Sequence, residues 1–212
     1  SEGAIGAILT GLMVLLFLRY NQNNYIANYF DEVYQGLSGK YKGALSSRKT
    51  KLAKGAPFFD FELIDENDNI VKLGDLSGKV VLIDFWFTGC SGCLQLASAL
   101  KPVKQYFKNN KKLVFLSVSV DKSKAIWLRS IKEGKYTQSG ASNLYTGELN
   151  RDHPLIKYYN ITSYPTLYIV KDRKMFEAHP PRPMPLQKNE GNLVDANGMQ
   201  LIEILKGALS SL

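Results

Sequence analysis

Cysteine and histidine are scarce here, with two of each in 212 residues. A structural zinc site takes four nitrogen or sulfur ligands, so Cys90, Cys93, His153 and His179 would all have to converge on one metal. That leaves zinc a poor use of the cysteine pair. Nor is there a run of about 20 apolar residues, the length a helix needs to cross a bilayer. The nearest stretch, residues 4–18, falls short and is interrupted by Gly6 and Gly11. Acidic residues are outnumbered, 19 against 27 lysines and arginines, for a net charge of +8. The lysines are spread along the whole chain and no nucleic-acid motif accompanies them, so the charge reads as a solvated basic surface that suits acidic partners or an anionic membrane.

With 45% hydrophobic and 11% aromatic residues, the chain can bury a core as one large domain or as one domain with an appendage. The organising stretch is residues 80–87, apolar apart from Asp84 and rich in β-branched and aromatic side chains, as expected of a strand buried on both faces. A tight turn follows, then Cys90-Ser91-Gly92-Cys93, then a helix running to about Phe107. A cysteine at a helix N-terminus meets unpaired backbone N–H groups and the positive end of the helix dipole, which can lower its pKa from about 8.5 towards about 7. Cys90 is therefore the expected nucleophile. Cys93, one helical turn on, is placed to attack a mixed disulfide formed at Cys90. A ring this small makes a poor structural staple, since staple value grows with loop length. Asp84 stands in an apolar strand, where burial should leave it partly protonated near neutral pH, either as a proton acceptor or as a hydrogen-bonded structural group.

Around this centre, residues 4–18 are expected to form a buried helix, with a truncated membrane anchor or interfacial helix as the alternative. Ile26, Phe30, Val33, Tyr34 and Leu37 repeat at helical spacing. Residues 40–54 read as an exposed connecting helix, and Gly55-Ala56-Pro57 sets the expected boundary between an N-terminal helical segment (1–54) and a main domain (55–212). Residues 58–73 should form a hairpin around the polar turn 65–69. Residues 113–120 read as a second buried strand, 121–123 as a helix cap and 125–132 as a helix, so strand and helix alternate as in a parallel sheet with right-handed crossovers. Residues 138–150 give no clear signal. Residues 154–159 should be a short helix, 167–170 and 175–178 a closing antiparallel hairpin, 179–185 a proline-rich loop, and 199–209 a terminal helix.

The run Ile83-Asp84-Phe85-Trp86 before Cys90-Ser91-Gly92-Cys93, with Tyr164-Pro165-Thr166 downstream, resembles the thioredoxin superfamily. Residues 55–63 and 71–79 look like the opening of its TlpA/ResA branch, bacterial extracytoplasmic thiol-disulfide oxidoreductases. The resemblance covers roughly residues 55 to 210. It implies an α/β thioredoxin-like fold, a central mixed sheet flanked by helices and preceded here by the N-terminal helical segment. It also implies a redox-active Cys90–Cys93 disulfide needing no other cofactor, and Asp84 as the group that takes the proton from Cys93. A cis Tyr164–Pro165 bond would lie beside the disulfide, with Tyr164, Pro165, Trp86 and Gly89 forming the substrate-docking surface.

Three departures stand out. Gly89 replaces the tryptophan usual before the first cysteine, Ser91-Gly92 replaces Gly-Pro or Glu-Pro, and Leu96 stands where ResA-like proteins carry a glutamate. With no cation between the cysteines, a moderately reducing couple is expected. The implied partners are protein disulfides and an upstream thiol donor, with no nucleic acid and with membrane association through the N-terminal segment as an open option. The competing classes are a redox-inert thioredoxin-like binding module and a peroxiredoxin-like peroxidase of the related AhpC/TSA type. The latter wants threonine three residues before the attacking cysteine, where Phe87 stands.

Overall fold

The computed structural model describes residues 39–137, 141–183 and 196–210. The expectations for residues 4–18 and for the stripe from Ile26 to Leu37 lie outside the described residues. The chain divides into two compact units after Thr50, and the second, Lys51–Leu212, carries the sheet. In chain order the elements are α1 (Gly39–Leu52), β1 (Glu62–Asp65), β2 (Ile70–Lys72), β3 (Val80–Trp86), α2 (Ser91–Tyr106), β4 (Leu113–Ser119) and α3 (Lys124–Glu133). There follow β5 (Ser142–Tyr145), α4 (Pro154–Tyr159), β6 (Thr166–Lys171), β7 (Lys174–Glu177) and α5 (Ala196–Ser210), with 3-10 turns at Leu73–Leu76 and Gly147–Asp152.

The strands form one mixed sheet in the order β2-β1-β5-β4-β3-β6-β7. β3 lies near the middle, parallel to β4 and antiparallel to β6, and is buried along its whole length. A strand covered on both faces needs no polar alternation, which is why residues 80–86 are almost uniformly apolar. Side chains alternate across the sheet. Val81, Ile83 and Phe85 pack with Phe58, Phe61, Leu155, Ile156 and Tyr159 on one face. Val80 and Leu82 pack on the other with Leu96, Leu100 and Val103 of α2 and Leu201, Ile202 and Leu205 of α5. Trp86 continues this second row into a cluster holding both cysteines, Trp127, Tyr136 and Tyr145. Asp84, between Leu82 and Trp86 in the alternation, therefore faces the side of the sheet that α2 covers.

The stretch without a clear signal, residues 138–150, supplies β5 and a 3-10 turn. β5 slots between β1 and β4, parallel to β4 and antiparallel to β1. Its Asn143 is buried and accepts a hydrogen bond from Thr137 Oγ1.

Candidate active site

The site begins where β3 ends. After Trp86 the chain turns through Phe87, Thr88 and Gly89, and Gly89 has φ 95°, a conformation that a side chain would strain. The turn thus accounts for the glycine that replaces the expected tryptophan. Cys90 is the N-cap of α2, so the helix starts at Ser91, three residues before the apolar run at Leu94 that marks it in the sequence. The Cys90 N–H donates to the Phe87 carbonyl at 3.3 Å.

Cys90 and Cys93 are joined by a disulfide, with Cα atoms 5.2 Å apart. The Cys93 backbone N–H donates to Cys90 Sγ at 3.1 Å. In the reduced form that donor, together with the helix N-terminus, favours a thiolate at Cys90. Cys90 is 6% exposed and Cys93 only 1%, so an incoming sulfur meets Cys90 first.

A polar brace holds the turn before Cys90. The Thr88 N–H donates to Asp121 Oδ1 at 2.8 Å, and the Thr88 hydroxyl donates to Oδ2 at 2.9 Å. Ser119 Oγ donates to the same Oδ2 at 2.9 Å, and Ser130 Oγ lies 2.7 Å from the Thr88 hydroxyl. Next along, the Gly89 N–H donates to the Tyr136 hydroxyl at 2.7 Å, and the Tyr136 ring stacks on Trp86 with centroids 4.9 Å apart. Sequence reasoning treats Asp121 as part of a helix cap. The observed N-cap of α3 is Ser123, without a side-chain bond, while Asp121 serves the cysteine turn instead. The available signal was an acid leaving the strand next to the one that carries the cysteines.

Asp84 is 8% exposed, and its Oδ1 has no hydrogen-bond partner among the described residues. Its register neighbours, Ser117 on β4 and Leu167 on β6, offer no charge. Burial pushes its carboxyl up to about 7, and the positive charges of Lys104 on α2 and of Arg182 hold it from rising further. Lys104 is itself shifted down by burial, partly offset by Asp84. A carboxyl that titrates near neutrality on the α2 side of β3 can take up or release a proton under working conditions.

The Tyr164–Pro165 peptide is cis. It comes close to the dipeptide between the cysteines: a Cβ on Gly92 would lie 3.2 Å from Pro165 Cδ and 4.0 Å from the Tyr164 carbonyl oxygen. The half-buried Tyr164 ring meets Phe87 edge-on at 5.5 Å, and both rings pack against the cysteine cluster. The Arg151 guanidinium sits over both rings, 4.9 Å from the Phe87 centroid and 5.3 Å from that of Tyr164.

Of the expected site residues, Cys90, Cys93, Gly89, Tyr164 and Pro165 come together at one end of the sheet, with Asp84 beneath. Trp86 is the exception. It is 0% exposed and covered by Tyr136, so it supports the turn from below rather than forming a docking surface. Leu96 is buried in the core shared by α2 and α5 and brings no polar group to the site. His153 is engaged structurally, its Nδ1 accepting from the Leu155 N–H at 3.2 Å as the cap of α4.

A family model described as thioredoxin-like matches residues 78–176. The thioredoxin domain of a thiol-disulfide oxidoreductase from Bacteroides vulgatus superposes with a TM-score of 0.58 at 25% identity, covering 74% of this chain and 99% of that one. The chain has a thioredoxin-like fold. A thiol:disulfide interchange protein from Bacteroides sp. aligns with a TM-score of 0.52 at 29% identity over 63% of this chain and 84% of its own. The thiol-disulfide oxidoreductase ResA of Bacillus subtilis is 25% identical over 127 residues, 60% of this chain and 66% of that protein. The thioredoxin-like protein YneN of the same organism is 23% identical over 169 residues, 80% of this chain and 86% of its own.

Proposed function

We propose that this chain is a thiol-disulfide oxidoreductase that exchanges electrons with protein disulfides through Cys90 and Cys93. The observation that carries the reading is the unequal pair at the start of α2: Cys90 reachable and facing a backbone N–H, Cys93 sealed behind it, and a carboxyl shifted to about 7 on the same side of the sheet. The Cys90 thiolate attacks one sulfur of a target disulfide, forming a mixed disulfide and releasing the other sulfur as a thiolate that takes a proton from water. Cys93 then gives its proton to Asp84 and attacks Cys90 Sγ, forming the Cys90–Cys93 bond and expelling the target's remaining sulfur as a thiolate, which is protonated in turn. Two electrons pass to the target, and an upstream dithiol restores the pair. The cysteine pair is itself the redox group, and the mechanism calls on no further cofactor. An extended substrate would lie along Tyr164 and Pro165, next to Gly89.

The resemblance to the TlpA/ResA branch supports a bacterial extracytoplasmic setting, with an upstream thiol donor as partner. Among the described residues no helix is long and apolar enough to cross a membrane. The peroxidase alternative lacks its threonine, since Phe87 at that position is an aromatic contact of Tyr164.

The test is reduction of insulin disulfides by the dithiol-driven protein. The wild type should turn over, Cys90→Ser should not, and Cys93→Ser should stall as a covalent mixed disulfide through Cys90. Turnover surviving loss of Cys90 would overturn the proposal. Equilibration with a glutathione buffer should give a moderately reducing potential, and a value as high as about −120 mV, that of a strong oxidant, would contradict it.

A further inference from the structure

We propose that Arg151 is a specificity-determining residue that selects target disulfides flanked by acidic residues. The inference rests on the oxidoreductase reading and adds the chemical class of substrate to it. Arg151 is exposed, and its guanidinium carbon lies 4.9 Å from the Phe87 ring centroid and 5.3 Å from that of Tyr164, the two mutually perpendicular rings packed against the cysteine cluster. Tyr164 is the residue before the cis proline, and its carbonyl oxygen approaches Gly92 between the two cysteines. A substrate chain drawn along that loop therefore passes within a side chain's reach of the Arg151 head.

The cation is held there. The backbone immediately before it is strained: Asn150 has φ 41° and ψ −115° inside the 3-10 turn, a conformation that persists only where the surroundings enforce it. Cation–π contact with both rings then holds the charge in place, and a planar, weakly hydrated guanidinium held beside aromatic rings is suited to grip a carboxylate with two parallel bonds. Among the described residues nothing pairs with this charge. Among the described residues no carboxylate lies within ion-pair distance of Arg151. The adjacent Asp152 is taken by Lys157 at 3.0 Å, and Glu148 of the same turn is felt at Tyr145. The same turn also exposes Leu149, 54% accessible, so charge and apolar surface are offered side by side.

The experiment is a single-turnover rate measurement. Pre-reduced full-length protein is mixed with either of two synthetic disulfide peptides that differ only in carrying Glu or Lys beside the cysteines. The neutral hydroxyethyl disulfide is run in parallel with the wild type. The second-order rate constant should favour the Glu peptide about five-fold at low salt, the size expected of one exposed charge pair, and the ratio should fall towards one at high salt. Arg151→Gln should bring the ratio to about one at all salt concentrations, and Arg151→Glu should invert it. Because the readout is a ratio on one preparation, a partly destabilised variant does not obscure it, and the wild-type ratio needs no variant at all. A wild-type ratio near one, or an unchanged preference in Arg151→Gln, overturns the assignment while leaving the oxidoreductase reading intact. Failure of the wild type to reduce the peptides and hydroxyethyl disulfide alike overturns both.

Discussion

At Asp84 the proposed proton transfer is set against stability. Its carboxyl is pushed from 3.8 to about 7 by burial, so between about pH 4 and pH 7 the folded protein keeps a proton that the unfolded chain has lost. Folding therefore becomes less favourable as pH rises across that window, by up to about 4 kcal/mol at ~1.36 kcal/mol per pH unit. Asp84→Asn should accordingly raise Tm relative to wild type more at pH 8 than at pH 4.5, while the step that resolves the mixed disulfide slows and loses its pH dependence near 7. Thermal melts at the two pH values, with stopped-flow resolution rates, check both halves, and an equal Tm change at the two pH values would contradict the shift. Asp121 is the other charged residue on which the site depends. Asp121→Ala leaves the Thr88 N–H and the Ser119 hydroxyl without their acceptor. It should cost about 2–3 kcal/mol, read from the urea midpoint, and should slow alkylation of Cys90 by loosening its turn. A neutral effect on both would show that the brace is incidental.

At the level of elements, legibility followed burial pattern. β3, β4, α3 and the β6–β7 hairpin are each specified by local sequence, because a strand sealed on both faces must be apolar and an amphipathic helix must show its period. The handover from β3 to α2 was equally legible, though α2 starts at Ser91 because the Cys90 side chain caps it, a fact that apolar periodicity does not encode. β5 was not legible. Its four residues, Ser-Asn-Leu-Tyr, carry little intrinsic strand signal and become strand because β1 and β4 leave a slot that only tertiary assembly creates. The buried Asn143 in it is tolerated because Thr137 donates to it. Thr137→Val should therefore destabilise the protein by about 1–3 kcal/mol, the cost of an orphaned buried acceptor, visible as a lower urea midpoint. An unchanged midpoint would mean that β5 is held by strand pairing alone.

Across the whole molecule, the site gathers segments far apart in sequence: the β3–α2 turn, Asp121 after β4, Tyr136 after α3, Arg151 after β5 and the cis Tyr164–Pro165 pair before β6. The first three follow the C-terminal ends of the parallel strands or the helix between them, the usual place for a site in an α/β sheet. The cysteines, Asp84 and Pro165 could be read from motif and resemblance because they sit in short recognisable strings. Tyr136 and Arg151 could not, since what makes them matter is a ring stacked on Trp86 and a guanidinium resting on Phe87 and Tyr164, contacts set by the sheet order. The proposed exchange requires two chemically unequal sulfurs, the first ionised and reachable, the second sheltered. The most direct measurement is the pH dependence of iodoacetamide alkylation of the reduced protein, with the modified cysteine identified by peptide mass. Cys90 should be modified at least about ten-fold faster than Cys93, with an apparent pKa below the ordinary value of about 8.5. Equal rates at the two cysteines, faster labelling of Cys93, or a Cys90 pKa at or above that value would contradict it.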